Sequence, residues 1–177
     1  ENSGDINEAK IHFQKATDVE QNFAEAYFNL ARLSSTPDEY ELAERNFEIA
    51  LEIKSDFDEC HYYFGKLLAK GVKMTKDGTQ IEQPKTERAI FHFKQAIETN
   101  PQNYKSFYEL GILLSQEEQF LEAFKYLQKS IEINPEFADG HYQLAVLLMN
   151  ESAHAIFHKD GKQKRLKQHS PSNKSGK

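Results

Sequence analysis

Seven histidines and one cysteine are the side chains of this 177-residue chain best suited to ligate a metal or attack a substrate, and their spacing supports neither chemistry. His154 and His158 lie four apart, the spacing at which two imidazoles on one helix face can share a zinc ion. No Glu follows His154 as in HExxH, and no third ligand is evident. Cys60 has no His/Asn partner in its sequence context, and the adjacent His61 points elsewhere on a helix, so no thiolate–imidazolium pair is expected. The patterns GxxxxGK[ST], GxGxxG and GxSxG are missing, and with them the phosphate cradles and the hydrolase elbow. Paired acids such as Glu117 and Glu118 read as solvated turn residues. The sequence therefore predicts no catalytic residue, no metal and no cofactor.

The elements that carry these side chains are helices at a repeated spacing. In the stretch Tyr104–Phe137, Phe107, Leu110, Gly111 and Leu114 fall on one face of a first helix, and Ala123, Leu127 and Ser130 on one face of a second. Pro135 closes the unit. Small residues at Gly111, Ala123 and Ser130 let the two helices approach, while the large ones fill the gaps beside them. Such a pair cannot cover its own apolar faces and requires neighbours built like itself.

These residues resemble the tetratricopeptide repeat, a 34-residue helix–turn–helix unit with an aromatic and a Leu-Gly pair in helix A, small and aromatic places in helix B, and a closing Pro. Stepping along the chain finds the same phase elsewhere. Tyr27, Leu30, Ala31, Ala43, Phe47 and Ala50 mark a repeat over 24–57, with Ser55 where Pro is usual. His61, Phe64, Gly65, Leu68, Ala89, Phe93, Ala96 and Pro101 mark another over 58–103. That copy is 46 residues long, so it carries 12 extra in an inserted turn around 70–86, and its Leu-Leu-Ala-Lys-Gly-Val is similar to the expanded Sel-like repeat. Residues 5–20 supply a helix B alone, through Ala9, Phe13 and Ala16, with Asp5 as its expected N-cap. Residues 138–150 supply a helix A alone, through His141, Leu144, Ala145 and Leu148. In the places for its helix B stand Phe157, Gly161 and Lys164, and 151–177 reads as a short end segment and a basic flexible tail. The start, without Met, reads as the middle of a repeat, so more copies are expected in a longer parent.

The resemblance implies an all-α fold, a right-handed α-solenoid of antiparallel helix pairs occupying residues 1–150. It also places His61 with His141, and His12 with His92, at equivalent positions, which points to inherited packing roles rather than a gathered site.

Composition sets outer bounds. The chain is 38% hydrophobic and 28% charged, has no run of 18 apolar residues, and its single Cys60 allows no disulfide framework; a reducing, cytoplasmic setting is the default expectation. Net charge is −6, divided into −11 over the first 150 residues and +5 over the last 27, where seven Lys/Arg face two acids. An acidic body argues against general nucleic-acid binding. The basic end offers a contact for an acidic polymer such as RNA or tubulin, a role that ranks below a solubilising one.

In the resembled family, stacked A helices line a concave groove and present their second, fifth, ninth and twelfth places to a ligand. The fifth places here are Phe28, Tyr62, Tyr108 and Tyr142; the ninth are Arg32, Lys66, Ile112 and Val146. The resemblance thus implies a non-catalytic interaction scaffold that takes a protein or peptide partner, with Tyr62 and Tyr108 as central anchors, Arg32 and Lys66 as charge readers, and Phe28 and Tyr142 at the ends. Packing of the fifth-place aromatics against neighbouring B helices is the competing role for those rings. The family's carboxylate-clamp class needs Lys at a fifth place and Asn at the ninth; Phe28 and Arg32 stand there, so chaperone docking is disfavoured. The alternative function is the targeting arm of an enzyme whose catalytic domain lies outside this stretch, as in O-GlcNAc transferase.

Overall fold

The computed structural model describes residues 2–71 and 84–150. Eight α-helices account for the regular structure of the described residues: α1 (Asn2–Val19), α2 (Ala24–Leu33), α3 (Tyr40–Ile53), α4 (Asp58–Lys70), α5 (Thr86–Thr99), α6 (Tyr104–Gln116), α7 (Phe120–Ile133) and α8 (Ala138–Met149). A 3-10 turn, Pro37–Glu39, leads into α3. Thr36 stands at its N-cap, but the side chain makes no capping bond; the pre-set φ of Pro37 starts the turn. Asp5 lies within the first turn of α1, not at its cap, because the helix begins at Asn2.

Helices α2 with α3, α4 with α5, and α6 with α7 form three antiparallel hairpins, each packed on the next. The first helix of each is an A helix, the second a B helix. Within a hairpin the largest B-helix residue fills the space left by a small A-helix residue. Phe47 and Phe93 are wholly buried and Leu127 is 1% exposed. A Cβ added at Gly65 would stand 2.8 Å from the Phe93 ring, and one added at Gly111 would stand 2.7 Å from Leu127 Cγ. Close approach therefore demands glycine at these two places. Ser130 replaces the buried alanine of the other B helices, and its hydroxyl donates to the Tyr104 carbonyl at 2.9 Å, which removes the cost of burying it.

The joints between hairpins are nearly superimposable. Helices α3, α5 and α7 end at Lys54 (φ −137°, ψ 88°), Asn100 (φ −131°, ψ 89°) and Asn134 (φ −126°, ψ 91°). Each donates its N–H to the carbonyl four residues back at 2.9–3.0 Å. Proline follows in two of the three and Ser55 in the other, so proline is not what sets the angle. His61 and His141 brace two joints in the same way: Nε2 of each meets the carbonyl of Ser55 or Pro135, at 3.0 and 2.9 Å.

Successive A helices touch, α4 with α6 and α6 with α8. B helices reach one another through long side chains, as where Arg88 bonds Glu48 at 2.8 Å and Lys85 bonds Glu44 at 2.8 Å. Closer spacing among the A helices bends the stack so that they form its inner wall.

The inserted turn of the second hairpin leaves α4 through Gly71, whose φ of 59° is the left-handed conformation glycine tolerates best. The chain re-enters where the Lys85 N–H bonds the Leu68 carbonyl at 3.0 Å. Most of that expansion, residues 72–83, and the whole of 151–177 lie outside the described residues.

Candidate binding groove

The fifth-place aromatics do not form four equivalent rungs. Phe28 is 5% exposed, with its ring 4.9 Å from Phe57 and 5.7 Å from Tyr63. Tyr62 is 9% exposed and packs against Tyr63 and Phe93, at 5.1 and 6.2 Å between ring centres. Both belong to the hydrophobic core. Tyr62, expected as a central anchor, thus takes up the competing packing role: its ring serves the α4–α5 hairpin. Burial is also the main cause that raises its phenol pKa. Tyr108 is half-buried, edge-on to Phe137 at 4.9 Å, and shares a side-chain hydrogen bond with Gln143. Tyr142 stands 66% exposed.

The two charge-bearing places differ in the same manner. Arg32 is exposed, hydrogen-bonds Asn29 at 3.2 Å and lies over the Tyr63 ring at 5.9 Å; both partners are neutral. Lys66 sits over Tyr62 at 5.5 Å and pairs with Glu109 of the next A helix at 3.3 Å. Burial opposes its charge, but Glu109 and Tyr62 outweigh that, and its pKa lies above the ordinary lysine value. Glu109 is not singled out by the sequence patterns above. It occupies the sixth place, where Asn29 and Tyr63 flank the groove in the earlier hairpins, so extending that row finds it. Between α4 and α6 a cleft of about 260 Å³ opens on the inner wall, lined by Lys66, Ala69, Glu109, Ile112, Leu113 and Gln116 among others.

The nucleophile candidate takes a structural role, while the metal candidates His154 and His158 lie outside the described residues. Cys60 is fully buried, its thiol directed at the Phe47 carbonyl (3.8 Å), and burial pushes its pKa up to about 12. A thiolate is not available there. His61 and His92 meet across the α4–α5 hairpin, a contact that equivalence between copies did not reveal. Among the described residues no group of three or more His, Cys, Asp or Glu side chains is placed to hold a metal. No described helix is long and apolar enough to cross a membrane.

Residues 92–125 match the tetratricopeptide repeat family. This window runs from α5 through α6 into α7, so it spans a joint between hairpins rather than one hairpin. Among solved structures, a MamA fragment from Desulfovibrio magneticus RS-1 superposes with a TM-score of 0.70 at 18% identity, covering 96% of this chain and 90% of that one. Pseudomonas aeruginosa PilF gives 0.71 at 23% identity, over 88% of this chain and 68% of that one. YrrB, described as a TPR protein with an unusual peptide-binding site, gives 0.66 at 21% identity, over 89% and 77%. A comparison with curated proteins gives no match. Family match and superposition agree with the hairpin geometry: the chain has the fold of a tetratricopeptide-repeat solenoid, and residues 92–125 match that family's model.

Proposed function

We propose that this solenoid is a non-catalytic scaffold that holds a peptide, or a segment of a neighbouring subunit, along the inner wall built by α2, α4, α6 and α8. One observation carries the reading: towards α8 the groove places leave apolar surface accessible. Tyr108 and Ile112 are half-buried, while Val146 is 44% and Tyr142 66% exposed. Towards α2 the wall offers cations instead, with Arg32 held by neutral partners and Lys66 sharing Glu109. The groove is thus polar in direction. An occupant with aromatic or aliphatic side chains over α6 and α8, and a carboxylate over α2 and α4, satisfies both halves.

Random-peptide display against the intact chain supplies a ligand whatever the natural partner is. Selected peptides should bind the Tyr108→Ala, Tyr142→Ala double variant about 30-fold more weakly, the hot-spot scale of about 2 kcal/mol. Acidic peptides should in addition lose affinity for an Arg32→Ala, Lys66→Ala variant. Unchanged affinity in both variants would place the binding surface elsewhere.

A further inference from the structure

Between the first two hairpins the outer face carries a recess of its own. Helices α3 and α5 border it and α4 supplies its floor, giving a cavity of about 360 Å³ lined by Glu48, Leu51, Glu52, Phe64, Arg88 and His92. That size falls in the range of small-ligand pockets. Phe64, 1% exposed, and the half-buried Leu51 make the floor apolar. His92 is 7% exposed, and three neighbours fix its ring: Phe64 at 4.3 Å, Phe91 edge-on at 5.2 Å, and His61, whose Nδ1 meets the Nδ1 of His92 at 2.9 Å. His61 is not part of the lining, so the nitrogen that His92 has left for an occupant is Nε2. The Ser55 carbonyl accepts from His61 Nε2, which leaves a neutral His61 with a lone pair on Nδ1. A neutral His92 then donates from Nδ1 and keeps a lone pair on Nε2; burial favours the neutral form of both rings. Among the described residues that nitrogen has no hydrogen-bond partner. An acceptor held in such a recess gains from a donor brought in from outside.

The surrounding charges select the donor. Arg88 bonds Glu44 through Nη1 and Glu48 through Nη2, so its charge is met twice within the molecule. Glu52 is exposed and has no such partner among the described residues. The lining thus sets two carboxylates and an acceptor nitrogen against one guanidinium, which favours a cation and disfavours an anion. Among the described residues no three side chains are placed to hold a metal, so the cation is an organic one. In the next hairpin Leu110 and Tyr126 stand in the places of Phe64 and His92, so the aromatic floor and the ring nitrogen do not recur there. We propose that this outer recess binds a primary ammonium on an apolar stem, with an N–H donated to His92 Nε2, the charge set against Glu52, and the stem laid on Phe64 and Leu51. A free amine and a lysine side chain of a partner protein share that chemistry. The site is separate from the inner wall and stands or falls independently of the groove.

Calorimetric titration of the full 177-residue chain with phenethylamine tests the proposal. Phenethyltrimethylammonium keeps the charge but has no N–H, and phenethyl alcohol keeps a donor but has no charge; each should bind about 10-fold more weakly than the amine. Glu52→Gln, a surface change, should weaken the amine about 3-fold. The double variant His61→Phe, His92→Tyr carries the ring pair of the next hairpin and should abolish binding, with circular dichroism confirming retained helix. Tyr108→Ala with Tyr142→Ala, on the inner wall, should leave amine affinity unchanged; a loss there would move the amine to the groove and overturn the assignment. The blocked peptide acetyl-Gly-Lys-Gly-amide separates the two sources: tighter binding than phenethylamine assigns the ammonium to a partner's side chain, weaker binding to a free amine. NMR of the imidazole nitrogens needs no variant. His92 Nε2 should carry no proton in the free chain, and its resonance should move when phenethylamine is added. A proton on that nitrogen, equal affinity for the quaternary ammonium, or no binding of either the amine or the lysine peptide overturns the proposal.

Discussion

His61 and His92 face each other Nδ1 to Nδ1 at 2.9 Å, one from α4 and one from α5, both buried. The Ser55 carbonyl, 3.0 Å from His61 Nε2, can only accept, so His61 carries its proton on Nε2 and presents Nδ1 as a lone pair. His92 must then donate from Nδ1. Burial lowers the pKa of both rings, and between two neutral rings the contact takes opposite tautomers. In the next hairpin the same two places hold Phe107 and Tyr126, 6.1 Å apart, which identifies the contact as a packing position filled by imidazoles.

Stability should consequently fall in mild acid. Burial, followed by the nearby His61 and Arg88, lowers the His92 pKa to about 3, and burial lowers that of His61. Folded values below the unfolded value near 6.5 mean that the unfolded chain binds more protons; the stabilising contribution is complete above pH ~6.5 and is lost as pH drops towards ~3. Urea unfolding should show a loss of about 2 kcal/mol from His92 between pH 7 and pH 5. The double variant His61→Phe, His92→Tyr, which imports the pair of the following hairpin, should flatten that slope. A slope that survives the exchange would assign the acid sensitivity to carboxylates.

Tyr62 and Tyr108 should separate in thermal melts despite occupying equivalent places. Truncating the buried Tyr62 to Ala should cost about 3 kcal/mol of stability, the scale for a large core side chain. Tyr108→Ala, at a half-buried ring, should cost about 1 kcal/mol, with its main effect on ligand affinity. Equal losses from the two variants would contradict the division of the groove into a core half and an accessible half.

The glycine contacts set a second pair of expectations. Phe93→Ala should lower stability by about 3–5 kcal/mol, since its ring fills the space beside Gly65. Gly111→Ala should cost about 1–3 kcal/mol by driving a methyl into Leu127. The Gly111→Ala, Leu127→Ala double variant should lose less than the sum of its two single losses, because the truncated side chain makes room for the added methyl, a comparison that denaturant titration resolves.

The phase of the hairpins was legible in the sequence because small and large residues recur at fixed separations and one error of register would bury charges. The joint at Ser55 was legible for the same reason, even without proline. Burial of Phe28 and Tyr62 was not, because the fifth place lies on the border between the inner wall and the core. Whether a ring turns in or out there depends on its neighbours: Tyr63 crowds both, while Phe137 leaves Tyr108 partly open. The His61–His92 contact was hidden because it joins two different places of one repeat, 31 residues apart, rather than one place in two repeats. Glu109 was missed because its pairing with Lys66 depends on the distance between adjacent A helices, which no local pattern encodes.

The bond from Lys85 to Leu68 ties off the second hairpin close to the left-handed Gly71. A clasp at that point holds the two ends of the inserted stretch at one place. Doubling its length adds only about 0.6 kcal/mol of closure entropy, so foreign sequence could be spliced between Gly71 and Pro84 with little strain passed to the stack. The molecule in effect carries a docking port for new modules at its waist.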